Sequence, residues 1–329
     1  MNMQEWLKNL RKNKRTIPIL SFPAIQLLNC SLTDFLNNSS LQAKGMQLVV
    51  ERCQTGVGIG MMDLSIEAEC FGADIKFDGI DIPTVCGALI KEDATLVEVP
   101  PIQKRAKIYI DGIKQARKLM PDIPILAGMI GPFSLAGRLL DVSEAMILCY
   151  DDPDLVHEVL SKATEFLIQY GKELKQSGAN GIILAEPLAG ILSPMLVHEF
   201  SSEYVQKIVK ELQTDDFIII YHNCGNNVLK MVDAILSTGC SVYHFGNAIH
   251  IKEMLEKMPR DKIVMGNIDP VGILKDGSID MIEKETNQLL KQCEEYDNFI
   301  LSSGCDIPYT SSWENLDCFI KTGNKYYEK

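Results

Sequence analysis

Residues 217–226 read FIIIYHNCGN, an apolar run that ends in two potential metal ligands. Isoleucine, phenylalanine and tyrosine favour a β-strand, and the glycine and asparagines end it. Because successive side chains of a strand point to opposite faces, His222 and Cys224 share one face. The run therefore predicts a buried strand that holds an imidazole and a thiol side by side at its carboxyl end.

On both sides of this run, short apolar segments alternate with longer amphipathic ones, which is typical of strand–helix units around a parallel sheet. The predicted strands are Pro124–Met129, Gly181–Ala185, Phe217–Tyr221, Ser241–Phe245, Ile263–Met265 and Phe299–Leu301. The predicted crossover helices are Asp154–Ser177, Pro194–Leu212, Val228–Ser237, Ile249–Lys257 and Ile279–Glu295.

The N-terminal part predicts an earlier strand at Thr16–Ser21, a helix around Ser40–Gln54 and a small β-ribbon within Ala73–Val99, where Ile75–Phe77 alternates. This strand count and the length of 329 residues favour a (β/α)8 TIM barrel with an N-terminal helical and β-hairpin extension, rather than an open doubly wound sheet. We expect one domain over residues 1–329, with the extension in 1–100 and most of the barrel in 101–329.

Charge and hydropathy exclude several classes of protein. The formal net charge of −12 opposes binding to nucleic acid. The most apolar stretch, Ile123–Leu140, contains two prolines and Arg138, which is unlike a membrane-spanning helix. The basic N-terminus lacks the apolar core of a signal peptide. We therefore predict a cytoplasmic protein with reduced cysteines that does not bind membranes or nucleic acid.

Common nucleotide and hydrolase motifs are missing. The glycines of Gly56–Gly60 lack the dinucleotide-binding spacing and an obvious preceding strand, and no glycine-rich loop is followed by Lys-Ser/Thr. The chain also lacks a Gly-x-Ser-x-Gly nucleophile elbow. Neither phosphate binding nor serine hydrolysis is predicted.

A third soft ligand follows the last predicted strand. Cys305 lies 81 residues after Cys224, and in a barrel its strand would end at the same mouth as His222. Three protein ligands with one open position are typical of catalytic zinc. The alternative is that His222 is a hydrogen-bonded core histidine and that Cys224 and Cys305 are inert buried thiols. We expect the other eight cysteines to be inert thiols of this kind.

Further polar residues stand at or just after strand ends and are expected to converge at the mouth: Glu186, Asn247, Asn267 and Asp269. Such a polar ring is costly to bury without a ligand, which favours the metal-site hypothesis. Arg138 is an isolated basic residue in an apolar setting, which is more often a structural ion-pair partner.

The sequence resembles the uroporphyrinogen decarboxylase superfamily, in particular its methylcobalamin:thiol methyltransferase branch, over nearly the whole chain. The matching segments are residues 222–226 (HNCGN), 266–271 (GNIDPV) and 304–308 (GCDIP), supported by 63–72, 131–133, 186–187 and 193–194. The His-x-Cys pair with the distant Gly-Cys pair is the most specific part.

The resemblance implies a (β/α)8 barrel with Zn²⁺ held by His222, Cys224 and Cys305. A substrate thiol, such as coenzyme M, would attack the methyl group of methylcobalamin or of a corrinoid protein, the expected partner. Glu186 would be a catalytic residue, as a displaceable fourth zinc ligand or proton acceptor, or else a carboxylate outside the ligand set. Asn226, Asn247, Asn267 and Asp269 are the candidate cofactor-binding residues.

Two alternatives keep the fold, and a third leaves out catalysis. The protein could demethylate a methylated or methoxylated substrate and load a corrinoid protein, or it could be a uroporphyrinogen decarboxylase of heme biosynthesis. Against the decarboxylase, its Arg-rich signature MRQAGRY is replaced by SFPAIQLL at residues 21–28. Asp63 corresponds to the decarboxylase's catalytic aspartate, yet without the arginines it is expected to line the mouth or cap a helix. The third alternative is a non-catalytic accessory protein that binds a corrinoid or a thiol.

Overall fold

Parallel strands build the centre of the molecule in this computed structural model, which describes residues 1–91 and 93–328. The strands are β1 (Gly58–Ile59), β2 (Asp74–Lys76), β3 (Thr84–Cys86), β4 (Ile125–Ile130), β5 (Gly181–Ala185), β6 (Ile218–Asn223), β7 (Val242–Phe245), β8 (Ile263–Ile268) and β9 (Phe299–Ser303). One sheet has the order β1-β4-β5-β6-β7-β8-β9, and every neighbouring pair in it is parallel.

Residues 16–21, predicted as the first strand, form an extended segment but not a strand. The Ile17 amide donates to the Leu301 carbonyl of β9 at 2.9 Å, whereas the Ile19 amide donates to the Ser303 hydroxyl at 3.0 Å. Pro18 has no amide proton to donate, so a regular hydrogen-bond ladder cannot form here. The segment nevertheless lies beside β9 and takes the place of the eighth strand in the barrel wall.

A buried apolar cluster fills the space inside the wall. Its residues come from the seven strands of the sheet and from the extended segment 16–21: Ile17, Ile19, Ile59, Leu126, Ile183, Ile218, Ile220, Val242, Ile263, Met265 and Ile300. A closed barrel has inward side chains from every strand position of its wall, packed into one interior core. The prediction of a (β/α)8 barrel is therefore confirmed.

The N-terminal helix α1 (Met3–Lys12) closes the amino end of the barrel. Its buried Met3, Leu7 and Leu10 belong to the interior cluster, and the Met3 amide donates to the Asp215 carbonyl just before β6 at 2.7 Å. With this end plugged, the opposite end, where the strands finish, is left for a functional site.

The remaining helices surround the barrel or belong to its N-terminal extension. They are α2 (Ala24–Leu28), α3 (Leu32–Leu36), α4 (Ser39–Cys53), α5 (Ile66–Phe71), α6 (Lys104–Leu119), α7 (Pro132–Leu140), α8 (Val142–Asp151), α9 (Pro153–Gln176), α10 (Pro194–Val197), α11 (Glu203–Leu212), α12 (Val232–Ser237), α13 (Ile251–Lys257), α14 (Ile279–Gln292) and α15 (Trp313–Tyr327). Among the described residues, no helix has both the length and the apolar character needed to cross a membrane.

Most predicted helices are confirmed, with two differences. The helix predicted over Pro194–Leu212 is divided by a π-turn at His198–Ser202, which carries the Ser201 hydroxyl toward a buried carboxylate. The helix predicted over Val228–Ser237 begins with a separate 3₁₀ turn at Val228–Lys230. The predicted helices do not include α1, α2, α3, α5, α6, α7, α8 or α15.

The predicted extension is also present. Helix α4 covers the predicted Ser40–Gln54 helix, and β2 pairs with β3 as the expected antiparallel ribbon. Glu92, inside the segment predicted to contain the ribbon, lies outside the described residues. Strand β1 occupies the Gly56–Gly60 run, where no strand was predicted because glycine disfavours strands.

Candidate metal centre

Strand β6 brings two candidate metal ligands to the carboxyl end of the barrel. Ile218 and Ile220 point into the interior core, so the period of two places His222 in the next inward layer and Cys224 just beyond the strand. His222 is buried, and Cys224 is half-buried. The predicted pairing of the two side chains is confirmed.

Cys305 reaches the same place from the end of β9. The ligand atoms of His222, Cys224 and Cys305 all lie within 4.8 Å of one another, and the His222 Nε2 is 3.6 Å from the Cys305 Sγ. A Cβ on Gly246, after β7, would lie 2.5 Å from the Cys224 Cβ. Glycine at 246 is therefore required for Cys224 to occupy its position.

A buried hydrogen-bond chain fixes the orientation of His222. Its Nδ1 lies 2.8 Å from the Nδ1 of His244 on β7, and the His244 Nε2 lies 2.9 Å from the Ser302 hydroxyl on β9. Burial lowers the pKa of His244 well below its ordinary value, so this ring is neutral. With His222 Nε2 free to bind a metal, its Nδ1 carries the proton and donates to His244, as outer partners of metal-bound histidines do.

The two thiols influence each other's ionisation. A hydrogen bond from the Cys305 thiol lowers the pKa of Cys224, and the same contact raises the pKa of Cys305. The Cys224 sulfur is therefore favoured as a thiolate that accepts a hydrogen bond from the Cys305 thiol. A divalent cation would favour the thiolate form of both, since only thiolates bind metals well.

The arrangement fits zinc. Bond lengths of about 2.3 Å to sulfur and about 2.05 Å to nitrogen at a tetrahedral angle place the two ligand atoms about 3.5 Å apart. The His222 Nε2 and Cys305 Sγ are separated by 3.6 Å. One imidazole and two thiolates form a borderline-soft donor set that suits Zn²⁺, and three protein ligands leave a fourth position open for a substrate.

Glu186 follows β5 but does not join the converging ligand atoms. Its buried carboxylate accepts from the Phe133 amide at 2.9 Å, from the Ser134 amide at 2.9 Å and hydroxyl at 2.7 Å, and from the Ser201 hydroxyl at 3.2 Å. Burial raises the pKa of Glu186, and these hydrogen bonds oppose the rise. The carboxylate thus binds the amino terminus of α7, which supports its alternative role outside the ligand set.

Asp63 lies in a separate ionic network after β1. It forms an ion pair with Arg105 of α6, and it accepts from the Tyr109 hydroxyl at 2.9 Å and the Ser65 amide at 3.1 Å. Arg105 also pairs with Glu69 at 2.9 Å. Because Ser65 is itself the residue before α5 and no side chain caps that helix, this contact is a turn ahead of the helix and does not support the expected capping role.

The four candidate cofactor-binding residues occupy different environments. Asn226 and Asn247 are exposed, whereas the buried Asn267 donates to the carbonyls of Gly246 and Ile249 at 2.8 and 2.9 Å. Asp269 accepts hydrogen bonds from the amides of Val271 and Gly272. Asn247, Asn267 and Asp269 line one open groove, so the side chains predicted to converge do so only in part.

His244 and Ser302 are the site residues that sequence reasoning missed. His244 lies within a predicted strand, and Ser302 directly follows one. Each points inward, two residues beyond Val242 and Ile300 respectively. The sequence signal for both is a polar residue at the last inward position of a strand.

Comparison with known proteins places the chain among enzymes. The family model of uroporphyrinogen decarboxylase (URO-D) matches residues 21–326. The methylated-thiol–coenzyme M methyltransferase of Methanosarcina mazei is 25% identical, with 82% of this chain and 73% of that protein covered. The methylcobamide:CoM methyltransferase MtaA of Methanosarcina barkeri is 29% identical over 71% of this chain and 68% of its own. Uroporphyrinogen decarboxylases also match, at 24% to 26% identity.

Solved structures agree on the fold. A methyltransferase from Methanosarcina mazei superposes with a TM-score of 0.87 at 23% identity, with 98% of each chain covered. At this level of identity the match supports the barrel and its extension, and it says nothing about the chemistry of the site.

Proposed function

Because the chain belongs to the uroporphyrinogen decarboxylase family, we propose that this enzyme transfers a methyl group between a corrinoid and a thiol at a zinc site formed by His222, Cys224 and Cys305. The convergence of three soft ligand atoms at the open end of the barrel is the observation that carries the proposal. The names of its methyltransferase relatives agree with it.

Bound to these ligands, zinc would act as a Lewis acid that lowers the pKa of a substrate thiol, so that the thiol reacts as its nucleophilic thiolate. The chain's own residues prepare the position. Cys224 and Cys305 supply negative charge, and His244 holds the His222 ring with Nε2 toward the sulfurs. Zinc held by these three residues would stand at the carboxyl end of the barrel, the end from which a thiol and the methyl donor would approach.

The proposed reaction is a nucleophilic displacement at the methyl carbon. The thiolate sulfur forms a bond to carbon, the carbon–cobalt bond breaks, and both of its electrons remain on the cobalt of the corrinoid. The thiol proton passes to the solvent before this step. The products are a methyl thioether and the reduced corrinoid, so no further reactant is needed.

Zinc-loaded protein should therefore consume methylcobalamin catalytically when a thiol such as 2-mercaptoethanesulfonate is present. The corrinoid spectrum reports the consumption, and mass spectrometry identifies the thioether. Chelation should abolish the reaction and added zinc should restore it. A protein that binds methylcobalamin without turnover would instead be an accessory binding protein.

Uroporphyrinogen should not be decarboxylated at an enzymatic rate. Residues 21–28 contain no arginine for its carboxylates, and Arg105 is already engaged with Asp63 and Glu69. Anaerobic incubation with uroporphyrinogen and chromatography of the oxidised porphyrins measures the product. Accumulation of coproporphyrinogen would favour heme biosynthesis over methyl transfer.

A further inference from the structure

His244 and Ser302 are polar side chains inside the barrel, where the neighbouring inward positions are apolar. His244 is 1% exposed and Ser302 is 0% exposed, and each stands two residues beyond a member of the interior cluster, Val242 or Ile300. Burial of an imidazole and a hydroxyl costs free energy unless both find hydrogen-bond partners, and apolar side chains would fill the same space without that cost. Polar residues at these two positions therefore call for a reason beyond packing.

The two residues join strands that the sheet keeps apart. Strands β6 and β9, whose ends carry the three candidate metal ligands, are separated in the wall by β7 and β8. His222 on β6 stands directly opposite His244 on β7, and their Nδ1 atoms are 2.8 Å apart. The other nitrogen of the His244 ring reaches past β8 to the Ser302 hydroxyl at 2.9 Å. One imidazole thus connects the two ligand-bearing strands through the interior of the barrel.

The short stretch between Ser302 and Cys305 is tightly held. The Ser303 hydroxyl accepts from an amide of the extended segment 16–21 at 3.0 Å, and the Gly304 amide donates to a carbonyl of β8 at 2.6 Å. These two residues are all that separates Ser302 from Cys305. Because both are fixed to neighbouring segments, the position of Ser302 determines where the Cys305 sulfur lies.

A single arrangement of protons satisfies this chain when the His222 Nε2 is a metal ligand. The His222 Nδ1 then carries the ring proton and donates to the His244 Nδ1. His244 has its own ring proton on Nε2, where the Ser302 hydroxyl accepts it. With its proton on Nδ1 instead, His244 would set an N–H group against the N–H group of His222. The two hydrogen bonds of His244 therefore depend on each other.

We propose that His244 is a positioning residue that, through Ser302, holds the end of β9 at the place where Cys305 and His222 can bind the same metal ion. The separation of 3.6 Å between the His222 Nε2 and the Cys305 Sγ suits that role. This inference rests on the metal site of the proposed function but not on methyl transfer. A ligand set that its surroundings hold in place binds metal more tightly than one that must be gathered by the ion.

His244→Phe tests the proposal, because phenylalanine keeps a ring in the barrel and removes both hydrogen bonds. We expect the zinc affinity, measured by competition with a chromogenic chelator, to fall by about ten- to a hundredfold, as for other outer partners of metal ligands. His244→Gln offers one acceptor and one donor, so it should recover part of the loss. The control is His157→Phe on α9, where the half-buried His157 Nδ1 lies 2.8 Å from the Tyr204 hydroxyl, and it should bind zinc like the parent.

Cobalt substitution gives a readout that a loss of stability alone would not change. Thiolate ligands give bound Co²⁺ a sulfur-to-cobalt charge-transfer band, whose intensity follows the number of thiolates. In His244→Phe, folded by circular dichroism, we expect this band to be weaker than in the parent, because Cys305 is no longer held beside His222. The same zinc affinity and the same cobalt spectrum in parent and variant would overturn the proposal.

A double-mutant cycle tests whether the two hydrogen bonds act as one chain. Ser302→Ala alone should weaken zinc binding, and it should have no further effect in the His244→Phe protein. Losses of affinity that multiply in the double variant would contradict the proposal, because Ser302 would then act independently of His244. If the parent binds zinc with this coupling but methylates no thiol, the proposed function fails and the positioning role of His244 stands. A parent that binds neither zinc nor cobalt would overturn both.

Discussion

Cys305→Ser is expected to weaken zinc binding by at least about a hundredfold, because loss of an outer partner of a metal ligand already costs up to about that factor. A serine hydroxyl stays protonated at neutral pH and is a poor zinc ligand, so the site would keep only His222 and Cys224. Methyl transfer should fall together with the zinc content. Elemental analysis after dialysis against a weak chelator measures the zinc, and the corrinoid spectrum measures transfer.

Cys318→Ser is the matched control for this variant. Cys318 is also half-buried, but it lies on α15 and donates to the Ile279 carbonyl at 3.8 Å, away from the cluster. It should keep about one zinc per chain. If Cys305→Ser retained zinc as well as this control, Cys305 would not be a ligand.

Glu186→Gln should lower the free energy of unfolding by about 2–4 kcal/mol, since it removes charge-assisted hydrogen bonds and leaves buried donors unsatisfied. The new amide nitrogen would face donors from Phe133 or Ser134, whichever way it is turned. Denaturant unfolding followed by circular dichroism gives the change. The zinc content of the folded variant should stay that of the parent.

Glu158→Gln provides the comparison for Glu186. Glu158 is half-buried and pairs with Lys162, four residues further along α9, at 3.4 Å; such a pair contributes little, so its loss should change stability by less than about 1 kcal/mol. The assignment of Glu186 to the α7 terminus would be contradicted by unchanged stability together with lost zinc. That result would make it the fourth ligand.

Sequence reasoning predicted the barrel because its signals are local. The apolar runs at β4 to β9 are bounded by turn residues, and the period of two along β6 was enough to pair His222 with Cys224. Cys305 could be added because strand ends in a barrel share one mouth. Two parts of the barrel wall differ from the prediction. Pro18 interrupts the hydrogen-bond ladder of residues 16–21, and the glycines of 56–60 make β1 unlike a strand in sequence.

The surroundings of the site could not be read in the same way. The contacts of Glu186 depend on α7, an unpredicted helix whose amino terminus attracts the carboxylate. Whether Arg138 has an ion-pair partner depends on distances between segments far apart in sequence. Predicting these roles requires the packing of helices around the barrel, which periodicity does not determine.

The proposed mechanism requires that a thiol gives up its proton when it binds at the zinc site, and calorimetry measures this proton release most directly. Zinc-loaded protein is titrated with 2-mercaptoethanesulfonate at pH 7 in buffers of different ionisation enthalpy. A free thiol has a pKa of about 8.5 and is mostly protonated at this pH, so binding as a thiolate releases close to one proton. Zinc-depleted protein should release none. A proton count near zero for the zinc-loaded protein would contradict the account, because the thiol would then bind protonated or away from the metal ligands.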